Sequence, residues 1–307
     1  MKPSLKIPSP VSKVHFPVFD EKRVEVYVKR EDLIHPLLSG NKWRKLKYGI
    51  QYFLESDNSH IITFGGAFSN HIHAFGHACH IYGLKGVVII RGEEDTSNPT
   101  IDDLRSLGIE LHFVSRKEYR LKENSLLIKS IIDKYESPLV VPEGGSSEWA
   151  RPGVREMALE IIDEDIIFDH IAISAGTGCT SGCMIDSLEN KGGQIEVYSA
   201  LKGAFMKDEV GKWAGDADNW QLFEDEAFGG YGKVNASLVD FINDFYQVSG
   251  IPLDPIYNGK LMYHLVERIE SGAYQKGSVI LWVHTGGLQG IRGFNYRWRG
   301  KYEIHAG

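Results

Sequence analysis

Short runs rich in β-branched and aromatic residues alternate with amphipathic stretches along this chain. The runs at 24–28, 60–64, 86–90, 110–114, 139–141, 170–174, 196–200 and 278–283 read as strands. The segments at 41–55, 70–82, 100–107, 125–135, 153–162, 181–190, 237–247 and 260–271 read as helices. The first helix shows why. Trp43, Leu46, Ile50, Phe53 and Leu54 recur at i, i+3, i+7, i+10 and i+11, which lines one helical face. Strand–helix alternation calls for an α/β fold, with parallel sheets and crossover helices.

Four of the strand-like runs end in glycine and hydroxyl residues. The run at 60–64 enters GGAFSN (65–70), and that at 139–141 enters PEGGSS (142–147). The run at 170–174 enters AGTGCTSG (175–182), and that at 278–283 enters HTGG (284–287). Open α/β sheets bind ligands beyond the carboxyl ends of their strands. One such turn is ordinary turn chemistry. Four together describe a site that wraps a small polar ligand.

Within SAGTGCTSG (174–182), Gly176 and Gly178 let the backbone approach an anion, and Thr177 and Thr180 add hydroxyls. The start of the following helix offers unpaired N–H groups and positive potential. No Lys-Ser/Thr pair follows, so this is not a P-loop. The spacing G-x-G-x-x-x-G, with no acidic residue after the next strand, also disfavours a nicotinamide oxidoreductase. A lone phosphate of a small cofactor fits best. Such a cofactor beside a lysine points to a Schiff base. Lys42 is the candidate. It falls in the first turn of its helix, where the dipole disfavours an ammonium. Lys45, one turn on, adds positive charge on nearly the same face.

A chain of 307 residues has room for two domains and a substantial core. The net charge of −7 and the lack of a basic run argue against a nucleic-acid partner. No apolar run approaches the roughly 20 residues of a membrane span. Three cysteines, Cys79, Cys179 and Cys183, fit a reducing cytoplasm better than a disulfide scaffold.

KREDL and SGNKWRKL (29–46), GGAFSNH (65–71), PEGG (142–145), SAGTGCTSG (174–182), GGYG (229–232), LDPIYNGK (253–260) and HTGGLQG (284–290) occur in this order. Together they resemble the 1-aminocyclopropane-1-carboxylate (ACC) deaminase and D-cysteine desulfhydrase family over nearly the whole chain. The resemblance implies pyridoxal 5′-phosphate (PLP) and fold type II, that of the tryptophan synthase β-subunit. That fold has two three-layer α/β domains with open, mostly parallel sheets, here 1–50 with 151–307 and a smaller one at 51–150. It implies a homodimer acting on a small amino acid. Lys42 would hold the cofactor and act as general base. Lys45, Asn70, Gly176, Thr177, Gly178, Cys179 and Thr180 would surround the phosphate, and Asn258 would face the pyridine nitrogen. Ser69, Tyr231 and Tyr257 would stand beside the substrate, with N–H groups at the helix start near Ser69 and Asn70 for its carboxylate.

Three positions depart from the family pattern. Cys179 replaces a small residue, His71 replaces glutamine, and Asn258 replaces a glutamate or threonine. A neutral Asn258 weakens electron withdrawal by the ring, which favours β-elimination from a D-amino acid over ring opening of ACC. A PLP-binding regulator without catalysis is a further alternative, opposed by the retained Ser69, Tyr231 and Tyr257. His73 and His77 sit at i, i+4, but no third ligand is evident nearby in sequence, so no metal site is expected. The acidic stretch at 209–230 reads as solvated surface leading to Tyr231.

Overall fold

A computed structural model describes residues 3–38, 40–92, 97–188 and 193–305. The strands are β1 (Val11–Val14), β2 (Glu25–Arg30), β3 (Ile61–Gly66), β4 (Gly86–Arg91), β5 (Glu110–Val114), β6 (Leu139–Val141), β7 (His170–Ala175), β8 (Gln194–Ser199), β9 (Trp220–Phe223) and β10 (Val279–His284). The helices are α1 (Pro17–Lys22), α2 (Asn41–Leu54), α3 (Asn70–Tyr82), α4 (Pro99–Ser106), α5 (Arg116–Leu121), α6 (Leu126–Ile132), α7 (Ala150–Ile162), α8 (Cys179–Leu188), α9 (Phe205–Gly211), α10 (Ala236–Ser249), α11 (Asn258–Glu270) and α12 (Gln289–Arg297). None of these is long and apolar enough to cross a membrane.

The chain forms two compact units. One comprises Met1–Leu5 and His35–Gly153, the other Lys6–Ile34 and Val154–Gly307. Helix α2, with Lys42, therefore belongs to the unit that includes His35–Gly153, whereas the sequence expectation groups residues 1–50 with 151–307.

In the first unit β5-β4-β3-β6 form a wholly parallel sheet. Val87, Val88, Ile89 and Ile90 of β4 are all buried. A run without polar alternation is what a sheet covered on both faces requires. In the second unit the order is β1-β2-β10-β7-β8-β9, with only β1 antiparallel to its neighbour. Trp282 of β10 is fully buried, with the Phe245 ring 6.2 Å away, edge-on. The KRED segment anchors this unit. The buried Lys29 ammonium reaches Glu160 at 2.8 Å and donates to the Ser9 carbonyl, and Ser9 Oγ donates to Glu31. Arg30 grips Asp32 through two bonds of 2.9 and 2.7 Å. These charges are satisfied internally, as buried ion pairs must be.

All eight expected strands and eight expected helices are present, most with ends shifted by one to three residues; of the helix expected at 181–190, residues 189 and 190 lie outside the described residues. The sequence reading missed β1 and β9. Both are four-residue edge strands paired on one side only, too short for alternation to stand out. Strand β9 corrects the solvated reading of 209–230. That stretch supplies a sheet edge and the fully buried Asp225.

Candidate active site

The unit of residues 35–153 carries Lys42, Lys45, Ser69 and Asn70. Gly40, at φ 68°, turns the chain into α2, so Lys42 lies in the first turn, as expected. The helix docks through Trp43, Leu46, Ile50 and Phe53, all buried, while Leu54 is exposed. Trp43 stacks on Tyr82 at 6.1 Å. Lys45 is buried and donates to Ser146 Oγ at 3.1 Å. Gly145, at φ +70°, leaves room here, because a Cβ would stand 3.3 Å from Lys45 Cβ and 3.4 Å from His71 Cε1.

Ser69 caps α3, its Oγ accepting from the His71 N–H at 3.2 Å. Gly65 permits this turn, since a Cβ would lie 2.4 Å from Ile72 Cγ2 and 3.2 Å from Ser69 Oγ. His71 is buried. Its Nε2 lies 2.7 Å from Thr63 Oγ1, and that hydroxyl gives its single proton to the Val141 carbonyl. Nε2 must then carry the imidazole proton, which leaves Nδ1 as a bare acceptor. This atom is buried and has no hydrogen-bond partner. Burial, with smaller contributions from the Lys42 and Lys45 charges, holds the His71 pKa well below the ordinary histidine value.

A histidine kept neutral in the fold binds its proton more readily in the unfolded chain. Stability from this site is therefore present above the unfolded pKa near 6.5 and declines as pH falls below it, by up to about 1.4 kcal/mol per pH unit. His71→Gln is expected to flatten the acid limb of stability against pH, read from urea midpoints between pH 7 and 5. Parallel limbs for variant and wild type would remove His71 from this role.

The unit of residues 6–34 and 154–307 carries the glycine loop, Tyr231, Tyr257 and Asn258. Helix α8 begins at Cys179, two residues earlier than expected, so Thr180 lies in the first turn. Gly178 adopts φ +76°, and a Cβ there would lie 2.6 Å from the Glu209 carbonyl. A Cβ on Gly176 would lie 2.9 Å from the Tyr257 ring, so the missing side chain lets the phenol rest on the loop. Tyr231 is about half exposed, its ring centroid 6.2 Å from that of Tyr257.

Asn258, the first residue of α11, is fully buried. Its Nδ2 donates to Asp254 Oδ2 (2.7 Å) and the Gly286 carbonyl (3.0 Å), and its Oδ1 accepts from the Thr285 N–H (3.2 Å). Both amide protons are thus used inside the protein. Any contact of this amide with a ligand is left to the second lone pair of Oδ1. Asp254 is equally committed: Oδ1 accepts from the N–H groups of Ile256 and Tyr257, and Oδ2 from that of Asn258. Beside this tether the hydroxyls of Thr285 and Ser174 meet at 3.2 Å, at the ends of β10 and β7.

A second cage holds the loop bearing Tyr231. Asp225 accepts from the N–H groups of Phe228 (3.0 Å) and Gly230 (2.9 Å), and Lys260 Nζ donates to Asp225 (2.6 Å) and the Gly230 carbonyl (2.7 Å). The reading of the sequence gave no role to His71, Thr285, Asp254, Lys260 or Asp225. The first four stand inside the quoted motifs, while nothing marked Asp225 within its acidic stretch.

These groups suit PLP. The glycine loop is a cradle that side chains would fill, and it opens a helix whose first N–H groups can take a phosphate. The lysine pair stands beside a buried acceptor without a partner. The family described as "Pyridoxal-phosphate dependent enzyme" matches residues 7–286. The chain belongs to this family. A putative ACC deaminase of Pyrococcus horikoshii is 30% identical over 286 residues, which cover 89% of this chain and 86% of that protein. The Arabidopsis thaliana mitochondrial bifunctional D-cysteine desulfhydrase/ACC deaminase is 28% identical, over 93% of this chain and 77% of its own. Among solved structures, an ACC deaminase homologue superposes with a TM-score of 0.82 at 27% identity, covering 96% of this chain and 94% of that one. The protein is a PLP-dependent enzyme of fold type II. When bound, the cofactor supplies an electron sink for cleavage at the carbons of an amino acid.

Proposed function

We propose that this enzyme removes a β-leaving group from a small D-amino acid, D-cysteine or an analogue, releasing ammonia and a 2-oxo acid. Lys42 holds the cofactor and afterwards takes the Cα proton. The loop from Gly176 to Thr180, with Lys45 and Asn70, takes the phosphate. Ser69 and the α3 N-terminus receive the substrate carboxylate. Tyr257 and Tyr231 flank the substrate.

The observation that carries this choice is the neutral corner beside Asn258. Asn258, Thr285 and Ser174 bear no charge, and the nearby Asp254 carboxylate is occupied by backbone and amide donors. A carboxylate at the pyridine nitrogen would favour its protonated, electron-withdrawing form. Without one, expulsion of a thiolate remains feasible, because charge departs with the leaving group. Ring opening of ACC has no such outlet. The packed Tyr231–Tyr257 pair favours ACC deamination as a second reading, since it offers two acids for ring opening.

The test is kcat/KM for D-cysteine, L-cysteine, D-serine and ACC. D-Cysteine is expected to exceed ACC, and a preference for ACC over every β-substituted amino acid would replace the first reading by the second. Asn258→Glu is a poor probe, because it sets a second buried carboxylate against Asp254. Tyr257→Phe is the cleaner variant. It should retain the visible absorption of the cofactor and lower kcat by about 10²-fold, the scale of one proton-transfer group. The same reading has the enzyme working as a homodimer in the cytoplasm. The chain's three cysteines, all buried, support a reducing compartment.

A further inference from the structure

We propose that His73, His77 and Asp103 form a site for one divalent transition-metal ion of the zinc class. His73 and His77 lie at i, i+4 on α3, their ring centroids 4.5 Å apart. Along α3 itself this pair has no third ligand. The third comes from the next helix. Gly76 lets α4 approach α3 closely, since a Cβ on it would lie 2.3 Å from Leu104 Cδ2. The neighbouring Asp103 is thereby brought to the pair, its Oδ2 3.6 Å from His73 Nε2. Asn98 fixes the start of α4, its Oδ1 accepting from the N–H groups of Thr100 (2.9 Å) and Ile101 (3.1 Å).

Each of the three residues offers a ligand atom, all within 4.8 Å of one another. A tetrahedral ion with bonds of about 2.0–2.2 Å needs its ligand atoms roughly 3.3 Å apart. The His73–Asp103 separation is already close, and small side-chain rotations bring in the rest. Two imidazoles and a carboxylate suit zinc, whereas calcium and magnesium demand oxygen ligands. His73 is buried while the Asp103 side chain is 28% exposed, so the set is ordered yet open to solvent on one side. Water would complete the tetrahedron. The ion would clamp α4 to α3, the helix that Ser69 caps.

The experiment is equilibrium dialysis of chelator-stripped holoenzyme against Zn²⁺ alone, with thermal melts in parallel. We expect one ion bound per chain, a higher melting temperature, and cofactor absorbance unchanged on addition of zinc. Even outer-shell partners of a metal are worth about 10- to 100-fold in affinity. His77→Gln and Asp103→Asn should therefore each weaken binding at least about tenfold. His80→Gln, an exposed position on the same helix, should leave it unaltered. His73 is left in place because its burial ties it to folding. The proposal is overturned if no ion binds, if binding survives both variants, or if the cofactor spectrum reports the ion.

Discussion

Replacing Lys42 by alanine is expected to abolish the covalent hold on PLP and reduce turnover by at least about 10³-fold, within the range lost with a general base. The wild type should carry one visible chromophore per chain. Borohydride should fix it to the peptide containing Lys42, and Lys42→Ala should yield no labelled peptide. The substitution is gentle on the scaffold. Lys42 is half-buried in the first turn of a 14-residue helix, and alanine is the strongest helix former. Any change in melting temperature should thus reflect lost cofactor rather than a damaged fold, and excess free PLP should narrow it. Lys45 is the discriminating comparison, being buried and bonded to Ser146. Lys45→Met should weaken PLP retention while keeping the label on Lys42. A label that moves to Lys45, or persists in Lys42→Ala, would refute the assignment of Lys42.

The contrast between these two lysines shows how far the sequence could be read. Spacing placed both on one helix and the strand-end glycines marked the turns, because periodicity and φ > 0 positions leave local signatures. Long-range partnership leaves none. Nothing in the sequence pairs Lys45 with Ser146, or Thr63 with the neutral His71. Asn258 is the sharpest case. Its motif was plain, yet only the fold shows both its amide protons spent on Asp254 and Gly286. The histidine pair on α3 lacked a third ligand only while it was viewed along one helix. Asp103 arrives because Gly76 admits α4, a close approach no periodicity reports. The domain boundary has the same origin. Residues 35–50 precede the smaller part in sequence, and packing alone assigns α2 to it.

The acidic stretch read as surface supplies the second large effect. Asp225 is fully buried, and Lys260 reaches it at 2.6 Å. Burial pushes its pKa up. The His264 ring 3.6 Å away, the Lys260 ammonium and the Phe228 N–H outweigh this and hold the carboxyl down to about 2. Lys260→Met strips the ammonium and leaves a buried carboxylate short of its main partner. Removing one member of a buried ion pair costs about 3–5 kcal/mol, and denaturant midpoints should register a loss of that order. The same change frees the Gly230 carbonyl, which accepts from Lys260 at 2.7 Å. Gly229, Gly230 and Gly232 all have positive φ, so the segment around Tyr231 has little conformational preference of its own and relies on this cage. Turnover should fall further than retention of cofactor, because the cage touches the Tyr231 loop and not the glycine loop. The pH dependence follows from the depressed carboxyl. Its contribution is present above the unfolded pKa of 3.8 and is lost as pH falls toward 2. Lys260→Met should lose part of that acid-limb slope. The double variant Asp225→Asn/Lys260→Met should recover much of the stability, since no charge is left stranded, without restoring turnover. If Lys260→Met unfolds at the wild-type midpoint, the pair does not hold this unit together; if the double variant regains full activity, the cage does not position Tyr231.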